Sequence, residues 1–375
     1  MSDWRSADGW DRVRASLWFR PAPWLVPFAL IALGVLVNML TPRGDVFTAT
    51  FAAAPLVAAA MWSLRGTLAV GLVSFSVLTV LVFTWDRFEG YGAVLRLGTV
   101  FLVALLSLAM NDALRRGNRK LASARAIAEA AQRALLPDPP ARVGDVAIAV
   151  RYRAGQAGAR IGGDLYAVQN TRFGVRMLVG DVRGKGLPAV GTVAVVLGAF
   201  REAADREAGL AAVAEWIDHA LERESNRSRW SEPAEEFVTA VLAEISAGTP
   251  DRVRVVNRGH PAPLLLSPDG SVRLLEPRVY ALPLGMDVPG ASPPEAQDHP
   301  LSADALLLLH TDGVTEARDP DGVFYDPVKS LSGRRFEAPD DLLDALLADL
   351  DRHTRRRIQD DVAMLAVSRG TSRRR

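Results

Sequence analysis

A chain of 375 residues is long enough for two domains, and 44 basic against 43 acidic side chains leave a net charge of +1, which argues against a nucleic-acid partner. Cysteine is absent, which excludes disulfides, thiolate metal sites and every cysteine-dependent phosphatase or protease. The two parts of the chain differ sharply: residues 24–110 are strongly apolar, and residues 141–375 alternate apolar and charged segments.

Residues 1–23 set Arg5, Arg12, Arg14 and Arg20 among Trp4, Trp10 and Trp18, the composition of a basic, aromatic juxtamembrane segment. No small-residue cleavage site follows a single short apolar core, so a signal peptide is not the reading. Four apolar runs follow at 24–40, 46–62, 66–85 and 93–110, each near the ~17–25 residues that cross a bilayer. Arginines precede the first run, and Arg115, Arg116, Arg119 and Lys120 follow the last. The positive-inside bias then places both ends in the cytoplasm. The expectation is a multi-pass protein of the cell membrane, with a four-helix transmembrane domain over 24–110. Arg96, near a span end, reads as a side chain that snorkels to the interface.

Residues 112–136 form a polar stretch without proline until Pro137. Leu114, Leu121, Ala128 and Leu135 recur every seventh residue, with Ala124 and Ala131 between. This suits a helix that pairs two copies into a homodimer, and a surface linker helix fits equally well. Pro137-Asp138-Pro139-Pro140 stops it, giving a linker over 111–136, a domain over 137–370 and a basic tail at 371–375. Strands are expected at 146–152, 164–169, 174–182, 236–245, 252–257, 263–266, 271–275, 305–310 and 362–367. Helices are expected at 187–205, 210–224 and 340–352. Strands in runs with helices in pairs predict an α+β sandwich rather than a doubly wound sheet.

Carboxylates punctuate this domain at the ends of apolar runs: Asp164 after Gly162-Gly163, Asp181 in Gly180-Asp181-Val182-Arg183-Gly184-Lys185-Gly186, Asp312 before Gly313, and the pair Asp360-Asp361. Oxygen ligands at turns suit Mn²⁺ or Mg²⁺. Two such ions ~4 Å apart can clamp the attacking and leaving oxygens of an in-line displacement at phosphorus. Glycine beside an aspartate lets backbone approach the ion.

In this order, Gly162-Gly163-Asp164-Leu165-Tyr166, the Gly180–Gly186 run, Asn257-Arg258-Gly259-His260-Pro261-Ala262-Pro263, Leu309-His310-Thr311-Asp312-Gly313-Val314-Thr315-Glu316-Ala317 and Asp360-Asp361 resemble the SpoIIE-like bacterial branch of the PP2C (PPM) metal-dependent serine/threonine phosphatases. The likeness covers about residues 130–370. It implies an αββα sandwich of two antiparallel sheets with two Mn²⁺ or Mg²⁺ ions at one end. It implies that Asp164, Asp181, Asp312 and Asp360 bind metal and carry catalysis. The carbonyl of Val182 is implied as a further ligand, and Asp361 is the alternative to Asp360. The implied substrate is a phosphoserine or phosphothreonine protein, such as an antagonist of an anti-sigma factor.

The chain departs from the family pattern at Ala167, where a second aspartate is usual, and at Ala363, where a threonine is common. Arg183 occupies the place of a histidine found in eukaryotic relatives, so no leaving-group acid is named. Arg183 and Lys185 read either as phosphate attractors or as solvated loop charges. His260 reads as a residue whose ring satisfies backbone at a rigid turn, and His310 as a core-facing neighbour of the site. The rival to an enzyme is a pseudophosphatase acting as a membrane-tethered binding module, with Ala167 as its supporting feature.

Overall fold

The computed structural model describes residues 23–41, 47–85, 91–136, 138–155, 163–184, 186–228, 237–286, 293–358 and 360–369. The basic segment 1–22, Gly162, Lys185 and the tail from residue 370 lie outside the described residues. The chain divides into two compact units, Met1–Ser123 and Ala124–Arg375.

The first unit is helical. Its helices are α1 (Val26–Leu40), α2 (Ala49–Met61), α3 (Leu64–Trp85) and the start of α4 (Tyr91–Leu135). Among the described residues, two helices could cross a membrane by length and composition: Leu64–Thr84 and Tyr91–Lys120. The two preceding apolar helices are shorter, at 15 and 13 residues, and α2 carries Pro55 in its interior. At 1.5 Å per residue, 15 residues span about 22 Å, less than a ~30 Å hydrocarbon core. Four spans of 17 residues or more are therefore not what these helices supply. The boundary drawn at 110/111 is a change of composition inside one helix: with no proline between residues 91 and 135, α4 runs for 45 residues without a break.

The second unit holds two antiparallel sheets. The first contains β1 (Arg142–Val143), β2 (Val146–Arg153), β7 (Leu264–Leu266), β8 (Val272–Leu274), β10 (Leu306–His310) and β11 (Val362–Arg369), in the order β1-β2-β11-β10-β7-β8. The second contains β3 (Asp164–Thr171), β4 (Gly174–Val182), β5 (Val238–Ser246), β6 (Arg252–Arg258) and β9 (Gln297–Pro300), in the order β3-β4-β5-β6-β9. Helices α5 (Leu187–Arg206) and α6 (Leu210–Ser228) pack on the second sheet. The short α7 (Asp312–Thr315) and α8 (Pro327–Leu331) precede α9 (Pro339–His353), which packs on β2 and β11.

The central strands are buried on both faces. Met177, Leu178 and Val179 have no solvent exposure, nor do Val241, Leu242 and Ala243 on the neighbouring strand. They read as continuous apolar runs for that reason. One core joins both sheets with α5 and α6, and a second lies between the first sheet and α9, where Leu342, Leu343, Leu346 and Leu350 repeat at helical spacing. This is a four-layer α+β sandwich.

A fully buried Arg176 on β4 ties the layers together. It pairs with Glu244 (2.7 Å) and donates to the carbonyls of Ala204, Glu207 and Ala208 at the end of α5. A guanidinium that caps orphan carbonyls suits the negative end of a helix dipole. It fixes the far end of α5, whose near end follows the Asp181 loop.

Candidate metal centre

β3 and β4 form a hairpin in which Asp164 is the direct partner of Asp181. The hairpin therefore delivers two carboxylates to one end of the second sheet. Strand β10 ends at His310 and turns through Thr311 into α7, whose first residue is Asp312. One oxygen from each of Asp164, Asp181 and Asp312 can lie within 4.8 Å of the others.

Two glycines permit this approach. A Cβ at Gly163 would stand 2.3 Å from the Val182 carbonyl oxygen and 2.6 Å from an Asp181 carboxylate oxygen. One at Gly313 would stand 1.9 Å from the Asp361 carbonyl oxygen. Both positions require a missing side chain because backbone closes on backbone. The Val182 carbonyl thus flanks the same turn as Asp181.

Asp164 is buried, and one of its oxygens accepts from the Thr311 hydroxyl at 2.7 Å. That hydroxyl also accepts from the Ala363 amide (3.0 Å), which prolongs the β10–β11 pairing by one step. The adjacent carboxylates of the closing pair face different surroundings. Asp361 is buried and accepts from the Tyr152 hydroxyl (3.0 Å) and the Gly155 amide (2.7 Å). Asp360 is exposed, and its negative charge acts on Asp181 and Asp312, while that of Asp361 acts on Asp164 and Asp181.

The electrostatics of this cluster suit a cation. Burial, then the neighbouring carboxylates, push Asp164 well above the usual carboxylate range. The same causes push Asp181 up to about 7 and raise Asp312. The charges acting on the three groups are mainly one another and further carboxylates. Oxygen donors crowded this closely, buried and mutually repelling, fit hard divalent cations.

A pH dependence follows. Asp181 titrates near 3.8 when unperturbed and near 7 in the folded, metal-free chain. The folded state then holds a proton that the unfolded state releases, so this contribution to stability is present below about 4 and is lost as pH rises toward about 7. Melting temperature in a chelator is expected to fall across that window, and Mn²⁺ is expected to flatten the fall. A melting curve that does not respond to pH between 4 and 7 would count against the electrostatic account.

The other candidate residues fall outside the cluster. His260 and His310 are buried and bond to backbone and to Thr239. Arg183 is exposed, with its guanidinium over the Phe237 ring at 5.0 Å. Ala167 lies on β3 three residues past Asp164, opposite Leu178. An odd spacing puts it on the other face of the strand, about 10 Å along the chain. It packs against the core, so its lack of a carboxylate takes no oxygen from the cluster. Sequence reasoning missed Thr311 and Tyr152, which hold Asp164 and Asp361. Thr311 stands beside Asp312 in the motif, but Tyr152 carries no local signal.

The sequence profile of the family described as Stage II sporulation protein E (SpoIIE) matches residues 171–370, 200 of the 375 residues. The chain belongs to the SpoIIE family. It carries the PP2C-type serine/threonine phosphatase domain of that family, as its motifs implied. The match begins inside β3, so it holds Asp181, Asp312 and Asp360 but not Asp164. No curated protein sequence matches the chain. Among solved structures, the SiaA-PP2C domain of Pseudomonas aeruginosa is 20% identical with a TM-score of 0.54, covering 67% of this chain and 97% of that one. That likeness shows the shared fold. The PP2C domain with a fragment of the regulatory domain of SpoIIE from Bacillus subtilis is 18% identical with a TM-score of 0.48, covering 60% of this chain and 62% of that one. The RsbU and RsbW domains of a Mycobacterium tuberculosis protein are 23% identical with a TM-score of 0.44, covering 60% of each chain. This chain thus spans about three fifths of the length of the latter two.

Proposed function

We propose that this SpoIIE-family protein is a membrane-anchored, metal-dependent phosphatase acting on phosphoserine or phosphothreonine in a regulatory protein. The observation that carries the reading is the convergence of Asp164, Asp181 and Asp312 from three separate elements. In this reading Asp164, Asp181, Asp312 and Asp360 hold two Mn²⁺ or Mg²⁺ ions, with the Val182 carbonyl as a further ligand. Asp361 is the anchor of the turn, because Tyr152 and Gly155 engage its two oxygens. Bound there, the ions would supply a water nucleophile activated near neutral pH and charge neutralisation at the phosphoryl oxygens. The chain's own residues set the geometry: the β3–β4 hairpin presents two carboxylates side by side, and Thr311 orients the one on Asp164.

The test uses the full chain in detergent with an aryl phosphate. Turnover is expected with Mn²⁺ and not with a chelator. A folded protein that binds Mn²⁺ without turnover would favour the pseudophosphatase reading, although Ala167 offers it no support at the metal cluster. An antagonist of an anti-sigma factor is the class of phosphoprotein proposed as substrate. Pairing of two chains along residues 112–136 is proposed as the route by which the helical unit acts, motivated by the heptad spacing and by Leu114, which is 47% exposed.

Four crossings with both ends cytoplasmic are proposed for the helical unit, with the 15-residue α1 and the 13-residue α2 as short crossings that local thinning of the bilayer accommodates. The support is an inverted distribution of polarity. Leu72, Val80, Phe83, Val94, Leu102 and Leu106 point outward, while Asn38, Thr67, Ser74, Ser107 and Asn111 are buried. Lipid-facing helices keep polar groups inside, where helices satisfy one another. Asn111 does so by donating to the Ala59 and Trp62 carbonyls at the end of α2. Absence of cysteine gives a clean labelling test. Thr41→Cys is expected to react with an impermeant maleimide on intact cells. Ser63→Cys and Asn118→Cys are expected to react only after permeabilisation. Labelling of all three from outside would overturn the topology.

A further inference from the structure

The three clustered aspartates come from different sheets. Asp164 and Asp181 belong to the second sheet, and Asp312 follows the end of β10 in the first. We propose that His260 is a positioning residue of the metal centre, bracing the backbone behind Asp181 against the backbone that leads into Asp312. The inference rests on the two-metal reading above.

The geometry is specific. His260 Nδ1 lies 3.0 Å from the Thr239 hydroxyl, and Thr239 is the direct partner of Asp181 across β4 and β5. His260 Nε2 lies 3.1 Å from the carbonyl of His310, two residues before Asp312. A carbonyl only accepts, so Nε2 carries the proton. Burial holds the ring neutral, lowering its pKa to about 3, so Nδ1 keeps a lone pair and accepts the Thr239 proton. The other acceptor near that hydroxyl, the Asp181 carbonyl, is farther away at 3.5 Å. Both ring nitrogens are therefore used, one on each sheet.

The ring's own position is locked. The Asn257 side chain donates to the His260 carbonyl and accepts from the His260 amide, each at 2.8 Å. Gly259 takes a left-handed φ of +67°, with Pro283 where a Cβ would stand. Arg258 is fixed by the Leu282 carbonyl and Asp218. The Asn257-Arg258-Gly259-His260 stretch thus holds one imidazole at a set depth between the sheets. The ring acts on the metal through the spacing of the carboxylates, as outer-shell partners of a metal site do.

Full-length protein in detergent, titrated with Mn²⁺ and read by the paramagnetic resonance of the free ion, tests this beside thermal unfolding. His260→Leu removes both ties and is expected to weaken Mn²⁺ binding by ~10–100-fold while the protein still unfolds cooperatively. His260→Gln keeps an N–H able to reach the His310 carbonyl, so its affinity is expected between those of wild type and His260→Leu. Thr239→Val removes one tie and is expected to weaken binding less than His260→Leu. A folded His260→Leu with wild-type affinity overturns the proposal, even if its melting temperature falls. Should His260→Leu not fold, wild-type affinity in both His260→Gln and Thr239→Val overturns it. Wild-type protein that binds no Mn²⁺ instead sinks the two-metal reading beneath it.

Discussion

Asp181→Asn is expected to lower Mn²⁺-dependent hydrolysis of an aryl phosphate on the order of 10³-fold while making the metal-free protein more stable at neutral pH. The substitution is nearly isosteric. Asp181 sits in a ladder between Asp164 on β3 and Thr239 on β5, so the backbone that carries it is held from both sides. What the change removes is charge. Metal-assisted displacement draws several kcal/mol from carboxylate-held cations, and each 1.36 kcal/mol is tenfold in rate. The same charge is a burden in the empty site, because burial, Asp312 and Asp360 all disfavour it. A neutral amide relieves that repulsion. Activity and apo-stability should therefore move in opposite directions, which loss of packing cannot produce. Hydrolysis assays with and without Mn²⁺, beside thermal unfolding in a chelator, decide both halves. A variant that retains activity ends the role of Asp181. One that melts below wild type in the chelator ends the electrostatic argument.

The strands of the sandwich were legible because their burial is written as composition. A mostly apolar stretch from residue 174 to 182, broken by Arg176 and Asp181 and ending in a polar turn, predicts β4 as observed at Gly174–Val182. The long helices after it are likewise bounded by Gly186 and Gly209. β9 was not legible. Its sequence, Gln-Asp-His-Pro, has no strand propensity, and it is extended because β6 offers an edge to pair with. Asp312 was expected in a turn and instead opens the four-residue helix α7, a distinction too short for periodicity to resolve.

At the site, each clustered aspartate could be found because it interrupts or ends an apolar run beside glycine. The choice between Asp360 and Asp361 could not, since the two are adjacent and the charges of both act on Asp181. Tyr152 and Thr239 are ordinary strand residues whose roles arise only when β2, β5, β10 and β11 come together. The helical unit shows the opposite failure. Hydropathy marked four comparable runs, but α2 is helical only over Ala49–Met61, 13 residues of the run at 46–62.

Gly313→Ala is expected to cost ~1–3 kcal/mol of stability and about 10²-fold in Mn²⁺-dependent rate. Its Cβ would stand 1.9 Å from the carbonyl oxygen and 2.9 Å from the carbonyl carbon of Asp361. Both are backbone atoms, so no rotamer change relieves the overlap. Either the start of α7 shifts or the Asp360–Asp361 turn shifts. The first moves Asp312, and the second moves Asp360 and strains the Tyr152–Asp361 bond. A displacement near 1 Å between groups proposed to hold the same ions is enough for a loss of that size. Gly198→Ala on α5 is the control, because Gly198 is exposed and nothing lies within 4 Å of its added Cβ. That change is expected to raise stability by ~0.5–1 kcal/mol and leave the rate alone. Equal rates for the two variants would mean that the turn yields freely and that Gly313 does not set the distance between α7 and the closing strand. A slow Gly313→Ala whose Mn²⁺ affinity also falls would locate the damage in the carboxylate cage, because the substituted residue carries no donor of its own.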